Sequence, residues 1–517
     1  MWSRLLREQR SVELPVTLLV VGRIVNTVIG LAVMPILIYK LGGDGFAAWA
    51  LFLALAAAFS LFELGAAPTY VKFVAPLVHA QDWPQIGRIQ AGVLAILLVT
   101  FSVGGIAVAA FCHKAAAYLG LPDAPLLTAA QMIFFVFVCS AMRGLLQVGT
   151  LSLNAARRFA ALAAASFLQS FTSNVIAAIA AIWTGRLDIT LIAYWGAQLT
   201  ILVAVCAISR VFVLPSARLG LPRRGDMLQL CGHGLKVQVY DWAQVISYQY
   251  DKFVIAATIG LSAVPQYEVG NRSALALRSI PASGIDSFLA TAAIHQQDVD
   301  QLWTAYERVT GIAVLAAFTF LVAPIAVGPL FLVAWIGEIG YPARWIFLCL
   351  ALGAACSVVA MPAASLVQSM GRADLHARSA LLALCINVPM SIMLVHQWGV
   401  PGVAVGTAIA MASGAGLLLI DTHKACGRSV TETVGKMVRF GPLLLICAAV
   451  GVLSWISTDY AVSRYGLSAV STPSARFAAA ALAIATYGLC VGLMLLYAIR
   501  RRMLTLRPQT AVWLGRR

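Results

Sequence analysis

Charged residues are scarce in this sequence. Only 11% of its 517 residues are Asp, Glu, Lys or Arg, whereas soluble domains carry about 25%. Hydrophobic residues make up 61% of the chain, and the mean hydropathy is +0.88. Long apolar stretches follow one another with no room for a soluble domain between them. The composition therefore excludes a soluble globule and predicts an all-α polytopic membrane protein.

Several signatures of catalysis are also missing from the sequence. It contains no nucleotide-binding P-loop, no paired carboxylates in a loop, and no loop large enough to fold a catalytic domain. The ten cysteines show neither metal-ligand nor redox spacing. We therefore expect no catalytic residues, no metal site and no ATP-driven transport by this chain alone; the protein is predicted not to be an enzyme. The net charge of +16 is spread over short loops, which argues against nucleic-acid binding.

Apolar segments long enough to cross a bilayer need about 20 residues. That criterion predicts about fourteen transmembrane helices. The second and eighth are long, and Pro68 and Pro281 predict kinks or breaks in them. The basic N-terminus precedes a long apolar run without a cleavage site, so we expect a retained first helix. The predicted spans are 14–38, 46–74, 89–112, 125–148, 159–184, 189–214, 235–259, 262–293, 303–327, 343–369, 376–397, 400–421, 437–457 and 475–499.

The distribution of Lys and Arg predicts the orientation. With a cytoplasmic N-terminus, twenty-four basic residues fall in inside loops and tails, and six fall outside. Cytoplasmic loops carry the excess of Lys and Arg in membrane proteins. Both termini are therefore predicted to be cytoplasmic.

The chain repeats itself weakly at an offset of about 220 residues. Six helices per repeat is an even number, so the two halves run in the same sense across the membrane, as a parallel repeat. We predict an N-terminal six-helix lobe (1–214), a cytoplasmic linker (215–234), a C-terminal six-helix lobe (235–425), and two further helices with a basic tail (426–517). The residues that recur in type are Gly42, Phe46 and Trp49 as Gly260, Val264 and Tyr267 (offset 218), and Gln147, Ala156 and Arg157 as Gln368, Ala377 and Arg378 (offset 221).

Six ionisable residues lie inside predicted spans. An unpaired Arg or Lys at a helix centre costs about 2.5–3.5 kcal/mol, so such residues are expected to pair or to face a hydrated cavity. Glu268 and Arg272 stand at i, i+4 and predict an intrahelical ion pair. The six are Arg23, Asp241, Asp251, Lys252, Glu268 and Arg272.

The first helix places Arg23 near the bilayer midplane, with Asn26 on the same face. Adding the offset of 218 to Arg23 gives Asp241, so opposite charges occupy equivalent positions in the two halves. They could face each other across a cavity or form a structural ion pair that locks the lobes. Weaker candidates are Arg278, in a cytoplasmic vestibule, and Glu63; Lys72 and Arg143 are expected to anchor at the interface.

Three stretches resemble the polysaccharide transporter family, the Wzx-type lipid-linked oligosaccharide flippases of the MOP (MATE-like) superfamily. The first runs from Arg23 to Lys72. The second is YDKFVIAATIGLSAVPQYEVGNRSALALRSIP, and the third is QSMGRADLHARSALLALCINVPMSIMLVHQWGVPGVAVGTAIA. Glu63 departs from the family's frequent Asp but keeps the acidic function.

The resemblance implies two six-helix lobes around a V-shaped cavity with alternating access, in a bacterial inner membrane. It implies a polyprenyl-diphosphate-linked oligosaccharide as cargo, with membrane lipids, a polysaccharide polymerase and a chain-length regulator as partners. Guanidinium groups suit diphosphate oxygens. The expected substrate-binding residues are Arg23, Asn26, Asp241, Asp251, Lys252, Glu268, Arg272 and Arg278. Glu63, Asp241, Asp251 and Glu268 are candidates for a coupling ion, H⁺ or Na⁺.

Three other functions compete with the flippase. A MATE-like cation-coupled multidrug exporter would be expected to line its cavity with carboxylates, whereas the six core charges here are half basic. A membrane-embedded glycan polymerase or ligase would be expected to carry a large outer loop with catalytic residues. A helix-bundle scaffold would leave the midplane charges without a purpose.

Overall fold

The computed structural model describes residues 2–214, 218–294 and 299–431, together with scattered positions between 435 and 488. This part of the chain is helical throughout and contains no strand. Its helices are α1 (Trp2–Phe59), α2 (Ala66–Ala80), α3 (Trp83–Tyr118), α4 (Ala129–Leu146), α5 (Val148–Ala155), α6 (Phe159–Thr184), α7 (Leu187–Phe212), α8 (Arg224–Thr258), α9 (Val264–Ile294), α10 (Val299–Ala317), α11 (Ala323–Ile336), α12 (Gly340–Ser369), α13 (Ala373–Trp398) and α14 (Val400–Ala425).

These helices cover the first twelve predicted spans, whereas α5 and most of α11 lie between predicted spans. Eight helical stretches within the described residues are long and apolar enough to cross a membrane. The helices α8 and α9 are not among the eight, because they carry most of the charges singled out in the sequence. The prediction of an all-α, multi-pass membrane protein is confirmed. Spans thirteen and fourteen lie almost entirely outside the described residues.

The first turn of each half has the same unusual backbone. Gly42 interrupts α1 with φ 74° and ψ 174°. Gly260, its predicted counterpart at offset 218, separates α8 from α9 with φ 119° and ψ 166°. Glycine reaches such positive φ angles without the steric cost that a side chain imposes. The repeat that the sequence indicated is therefore visible in the backbone at this point.

The second span breaks earlier than Pro68 suggested. A 3₁₀ turn, Ser60–Glu63, is followed by Leu64 and Gly65 in left-handed conformations, with φ of 46° and 64°. Pro68 then lies in the first turn of α2, where a proline displaces no helical hydrogen bond. In the eighth span, α9 continues through Pro281 without a break.

The helices pack in two groups, which we call the first half (α1–α7) and the second half (α8–α14). Within the first half, α6 packs against α1 and α7, and α3 packs against α4. Within the second half, α12 packs against α9 and α14, and α13 packs against α14 and α8. The halves meet mainly where α1 packs along α9.

One apolar core joins the two halves near Gly42 and Gly260. It contains Met34 and Trp49 of α1 together with Ile255, Val264 and Tyr267 of the second half, all at most 1% exposed. In a bilayer, helices associate through close packing, which small residues favour. The run Ala47, Ala48 and Ala50 in α1, all fully buried, fits this requirement.

A cation–aromatic contact attaches the start of α12 to a more C-terminal segment. The Arg344 side chain is 5% exposed, and its Nη1 lies 2.6 Å from Asp459 Oδ1. The guanidinium also lies 3.9 Å from the ring centre of Tyr341 and 4.5 Å from that of Trp455. Buried cation–π contacts contribute about 2 kcal/mol or more when desolvated. We call this arrangement the Arg344 clamp.

Candidate functional site

Three predicted site residues form one buried ion cluster between α8 and α9. Lys252 Nζ lies 2.8 Å from Glu268 Oε2, and Arg272 Nε donates to Glu268 Oε1 on the same carboxylate. Lys252 also donates to Gln249 Oε1 at 3.1 Å. The Glu268 side chain is 1% exposed and that of Arg272 is 25% exposed. A buried charge is tolerated only with partners, and this cluster keeps a net positive charge with Arg272 as its accessible member.

Asp251 lies apart from this cluster, although it is adjacent to Lys252 in sequence. It is fully buried and has no salt bridge to any residue that the structure describes. Hydroxyl groups surround it instead: Tyr267 of α9 and Thr407 of α14 donate to Oδ2, and Ser391 of α13 donates to Oδ1 at 3.1 Å. Four helices therefore converge on one carboxylate.

The Thr407 and Ser391 hydroxyl groups beside Asp251 each have more than one acceptor oxygen within hydrogen-bond distance. Thr407 Oγ1 lies near Asp251 Oδ2, 3.1 Å from Asn387 Oδ1 and 3.0 Å from the Val403 carbonyl oxygen. Ser391 Oγ likewise lies 3.1 Å from Asn387 Oδ1. A hydroxyl has one proton to donate, so Thr407 and Ser391 can each donate to only one of these acceptors at a time. The three hydroxyl protons around Asp251 can therefore be shared among its oxygen atoms and that of Asn387 in more than one way. Oxygen-rich groups with one negative charge suit a proton or a hard cation.

The polar face of the first helix turns toward α9. Thr27 Oγ1 lies 3.3 Å from Ser279 Oγ, which joins the two halves. Asn26 beside it is half-buried, and its Oδ1 accepts no hydrogen bond from the described residues. The side chains of Arg23 and Asp241 lie outside the described residues, so their predicted pairing stays a prediction.

Arg278 lies in the second half, on a different face of α9 from Arg272. Its Nη1 donates to Tyr248 OH of α8 at 2.7 Å, and its guanidinium lies 5.4 Å from the Tyr248 ring centre. It lines a cavity of about 330 Å³ among α8, α9, α12, α13 and α14. The structure thus divides the predicted site: Lys252, Glu268 and Arg272 come together, while Asp251 and Arg278 occupy other positions.

Arg143, which the sequence predicts to anchor at the membrane interface, pairs with an acidic side chain. Its Nη2 donates to Glu63 Oε1 at 3.1 Å, from α4 to the broken turn of the second span. It also lines a polar cavity of about 270 Å³ in the first half. This pair does not follow from the sequence, because 80 residues separate the two side chains; the available signal was an acidic residue two positions before Gly65.

The broken turn of the second span is held by the other half of the molecule. Gln238 Nε2 and Trp242 Nε1 of α8 both donate to the Leu61 carbonyl oxygen, at 3.2 and 3.3 Å. Nearby, Thr69 Oγ1 of α2 lies 3.2 Å from His233 Nδ1 of α8. A carbonyl freed by a helix break needs such a partner when it is buried in protein. We call the two hydrogen bonds from Gln238 and Trp242 to the Leu61 carbonyl oxygen the Leu61 contact.

Backbone atoms approach closely at the same place. A Cβ atom on Gly65 would lie 2.5 Å from the Gly234 carbonyl oxygen, and one on Gly234 would lie 2.6 Å from the Leu64 carbonyl oxygen. Real Cβ atoms do not come so near to other atoms, so both positions need glycine. The halves therefore touch at the apolar core near Gly42, at Thr27 and Ser279, and at the Leu61 contact.

A family model described as "Polysaccharide biosynthesis protein" matches residues 54–349. These residues include the broken turn of the second span, the buried ion cluster and Arg278. The chain belongs to the polysaccharide biosynthesis protein family. No curated protein sequence matches it.

Solved structures share the fold of this family member. The lipid II flippase MurJ in an inward closed conformation is 13% identical, with a TM-score of 0.65, over 87% of this chain and 99% of MurJ. An inward-facing multidrug resistance MATE family transporter of the MOP superfamily is 16% identical, with a TM-score of 0.65, over 80% and 99% of the two chains. The Vibrio cholerae MATE transporter VcmN in the bent form is 13% identical, with a TM-score of 0.53, over 80% and 98%. The predicted MATE-like fold is confirmed.

Glu268→Gln is expected to destabilise the protein by about 3–5 kcal/mol, since it leaves Lys252 and Arg272 without their shared carboxylate. The matched control is Glu338→Gln, at an exposed position. Thermal unfolding of the purified protein should show a lower midpoint for Glu268→Gln alone. Adding Lys252→Met should restore part of the loss, because only the more accessible Arg272 then remains. Equal midpoints for Glu268→Gln and the control would contradict the cluster.

Replacing both donors of the Leu61 contact should loosen the halves locally. In Gln238→Leu/Trp242→Phe, the amides of residues 60–73 are expected to exchange hydrogen faster, because the broken turn loses both hydrogen bonds from α8. Hydrogen exchange followed by mass spectrometry measures this rate. Trp183→Phe, at a position 83% exposed on α6, is the control. Unchanged exchange in the double variant would show that the contact does not hold the turn.

Proposed function

We propose that the protein is a flippase that moves a polyprenyl-diphosphate-linked oligosaccharide from the cytoplasmic to the outer leaflet of the bacterial inner membrane, for surface polysaccharide biosynthesis. The observation that supports this most is the cluster in which Lys252 and Arg272 share Glu268. It presents excess positive charge on the helix that packs against the other half. Diphosphate is the densest negative charge on such a cargo, and Arg binds phosphate oxygens in pairs.

Arg272 makes the first contact with the cargo in this proposal. It is the accessible member of the cluster, whereas Lys252 and Glu268 are almost completely buried. Glu268 holds both cations while the site is empty, and movement of the halves lets the diphosphate take its place. Arg23, Asn26, Asp241 and Arg278 complete the substrate-binding set that we propose. The polyprenyl tail remains in the lipid throughout.

A coupling cation, H⁺ or Na⁺, is proposed at Asp251. The other described candidates, Glu63 and Glu268, already pair with cationic side chains. Asp251, Asn387, Ser391 and Thr407 would hold the cation, and it would supply the positive charge that this buried carboxylate lacks. The oxygen atoms gathered around this carboxylate are the kind of ligand that such an ion takes.

Topology and partners complete the proposal. Both termini face the cytoplasm, and the lobes comprise residues 1–214 and 235–425, joined by the linker 215–234. The protein acts with membrane lipids, a polysaccharide polymerase and a chain-length regulator. The second candidate function is a cation-coupled multidrug exporter, which the similarity to MATE transporters favours. The basic members of the charge clusters and the family match favour the flippase.

Arg272→Ala and Arg23→Ala are each expected to slow transport about tenfold or more, since a charge-assisted hydrogen bond contributes about 1.5–3 kcal/mol. In proteoliposomes, the measurement is the rate at which a fluorescent polyprenyl-diphosphate sugar reaches the outer leaflet. In cells, both variants should insert but leave the lipid-linked precursor on the cytoplasmic leaflet. Arg372→Ala, at an exposed loop position, is the control. Normal glycan export in both variants would contradict the diphosphate assignment.

Asp251→Asn should abolish stabilisation by the coupling ion. We expect wild-type protein to unfold at a higher temperature in NaCl than in choline chloride, because binding to the folded state stabilises it. If the ion is H⁺, the midpoint should instead depend on pH in a way that Asp251→Asn removes. Asp374→Asn, at an exposed carboxylate, should keep the wild-type response. A wild-type response that persists in Asp251→Asn would rule out this site.

A further inference from the structure

The polar cavities of the two halves occupy equivalent positions in the repeat. The first-half cavity, of about 270 Å³, lies among α4, α5, α6 and α7. The second-half cavity, of about 330 Å³, lies among α8, α9, α12, α13 and α14. Adding 221 converts four lining positions of the first into lining positions of the second. These pairs are Arg143 and Ala364, Gln147 and Gln368, Leu162 and Ala383, and Ser166 and Asn387.

Each cavity is lined by one arginine with an unused donor. Arg143 and Arg278 both have a buried Nε that makes no hydrogen bond to any atom the structure describes. The Nη groups, in contrast, are engaged, with Glu63 in one case and Tyr248 in the other. The two arginines come from non-equivalent helices, α4 and α9. Each cavity is therefore lined by an arginine, although the two arginines occupy different positions in the repeat.

The remaining lining combines amide and hydroxyl groups with apolar side chains and, in the second cavity, the His376 imidazole. Gln147, Asn154 and Gln169 line the first cavity, and Gln368, Ser379 and Asn387 are among those that line the second. No Asp or Glu is among the described lining residues of either cavity. Amides and hydroxyls both donate and accept hydrogen bonds, as sugar hydroxyls do. The two cavities, of about 270 and 330 Å³, lie at the lower limit of the volumes of small-molecule sites. This size suits one or two sugar rings.

We propose that each half carries its own saccharide-binding subsite, one at Gln147 and Arg143 and the other at Gln368 and Arg278. The ligand class is a neutral or acidic sugar unit, whose ring or carboxylate oxygens accept hydrogen bonds from the lining amides and from the partly exposed arginine side chain. A cationic sugar unit would find no carboxylate among the described lining residues of either cavity. The inference rests on the proposed function only in identifying this sugar as part of the glycan cargo. Two such subsites would let one oligosaccharide contact both halves.

Binding of soluble sugars tests the subsites without any transport step. The purified full-length protein is titrated with cellobiose and with glucuronic acid, and saturable binding is followed by saturation-transfer-difference NMR. The variants are Gln147→Leu, Gln368→Leu and the double variant, with Gln85→Leu, outside both cavities, as the matched control. Each single variant should lower the saturable signal by about half and the double variant should remove most of it, as expected for independent sites.

The outcomes separate this inference from the flippase assignment. Unchanged binding in the double variant, loss from one cavity alone, or no saturable binding of either sugar by wild-type protein would overturn the paired subsites, even if the lipid-linked sugar is still transported. Gln368→Glu keeps the side-chain size and guards against misfolding. It should weaken glucuronic acid binding more than cellobiose binding, through repulsion between carboxylates; equal effects on both would also count against the proposal.

Discussion

The carboxylate of Glu268, held between two cations, is the interaction on which the second half depends most. Lys252 reaches it from α8 and Arg272 from α9 itself, so one acidic side chain binds together the helix pair that opens this half. Water cannot screen these charges, since Glu268 and Lys252 are almost completely buried. The cost of leaving any one of them alone is therefore high. Because Glu268 links Lys252 of α8 to Arg272 of α9, an anion that replaced its carboxylate would change the attraction between the two helices.

Glycine positions determine how the halves can meet. Gly42 and Gly260 give both halves the same opening turn, which brings α1 against α9 in a core of alanines and aromatic rings. At the other contact, the left-handed turn at Leu64 and Gly65 interrupts a helix and releases a carbonyl group. Side chains of α8 then satisfy that carbonyl group across the interface between the halves. A break in one half thus becomes a binding feature for the other, and Glu63 connects it to Arg143 inside the first half.

Much of the fold could be predicted from the sequence, because helices that cross a bilayer must be long and apolar. The polar loops between them mark where each helix ends. The Glu268–Arg272 pair also followed, since i, i+4 neighbours on a helix must meet. Lys252 as third partner and the separation of Asp251 required tertiary packing. Adjacent residues point about 100° apart on a helix, so Asp251 turns toward α13 and α14 while Lys252 turns toward Glu268. The Arg143–Glu63 pair did not follow from the sequence, because the position equivalent to Arg143 in the repeat is Ala364, so the repeat indicated no charge pair common to both halves.

The Arg344 clamp has a mechanical consequence for the part of the chain that follows α14. Tyr341 and Arg344 belong to the second half. Their contacts with Trp455 and Asp459 attach these two residues to that half. If the two halves rotate against each other, Tyr460 moves with α12 rather than with α1. A fluorophore attached at Tyr460, which is 65% exposed, would then report the rotation from an accessible position.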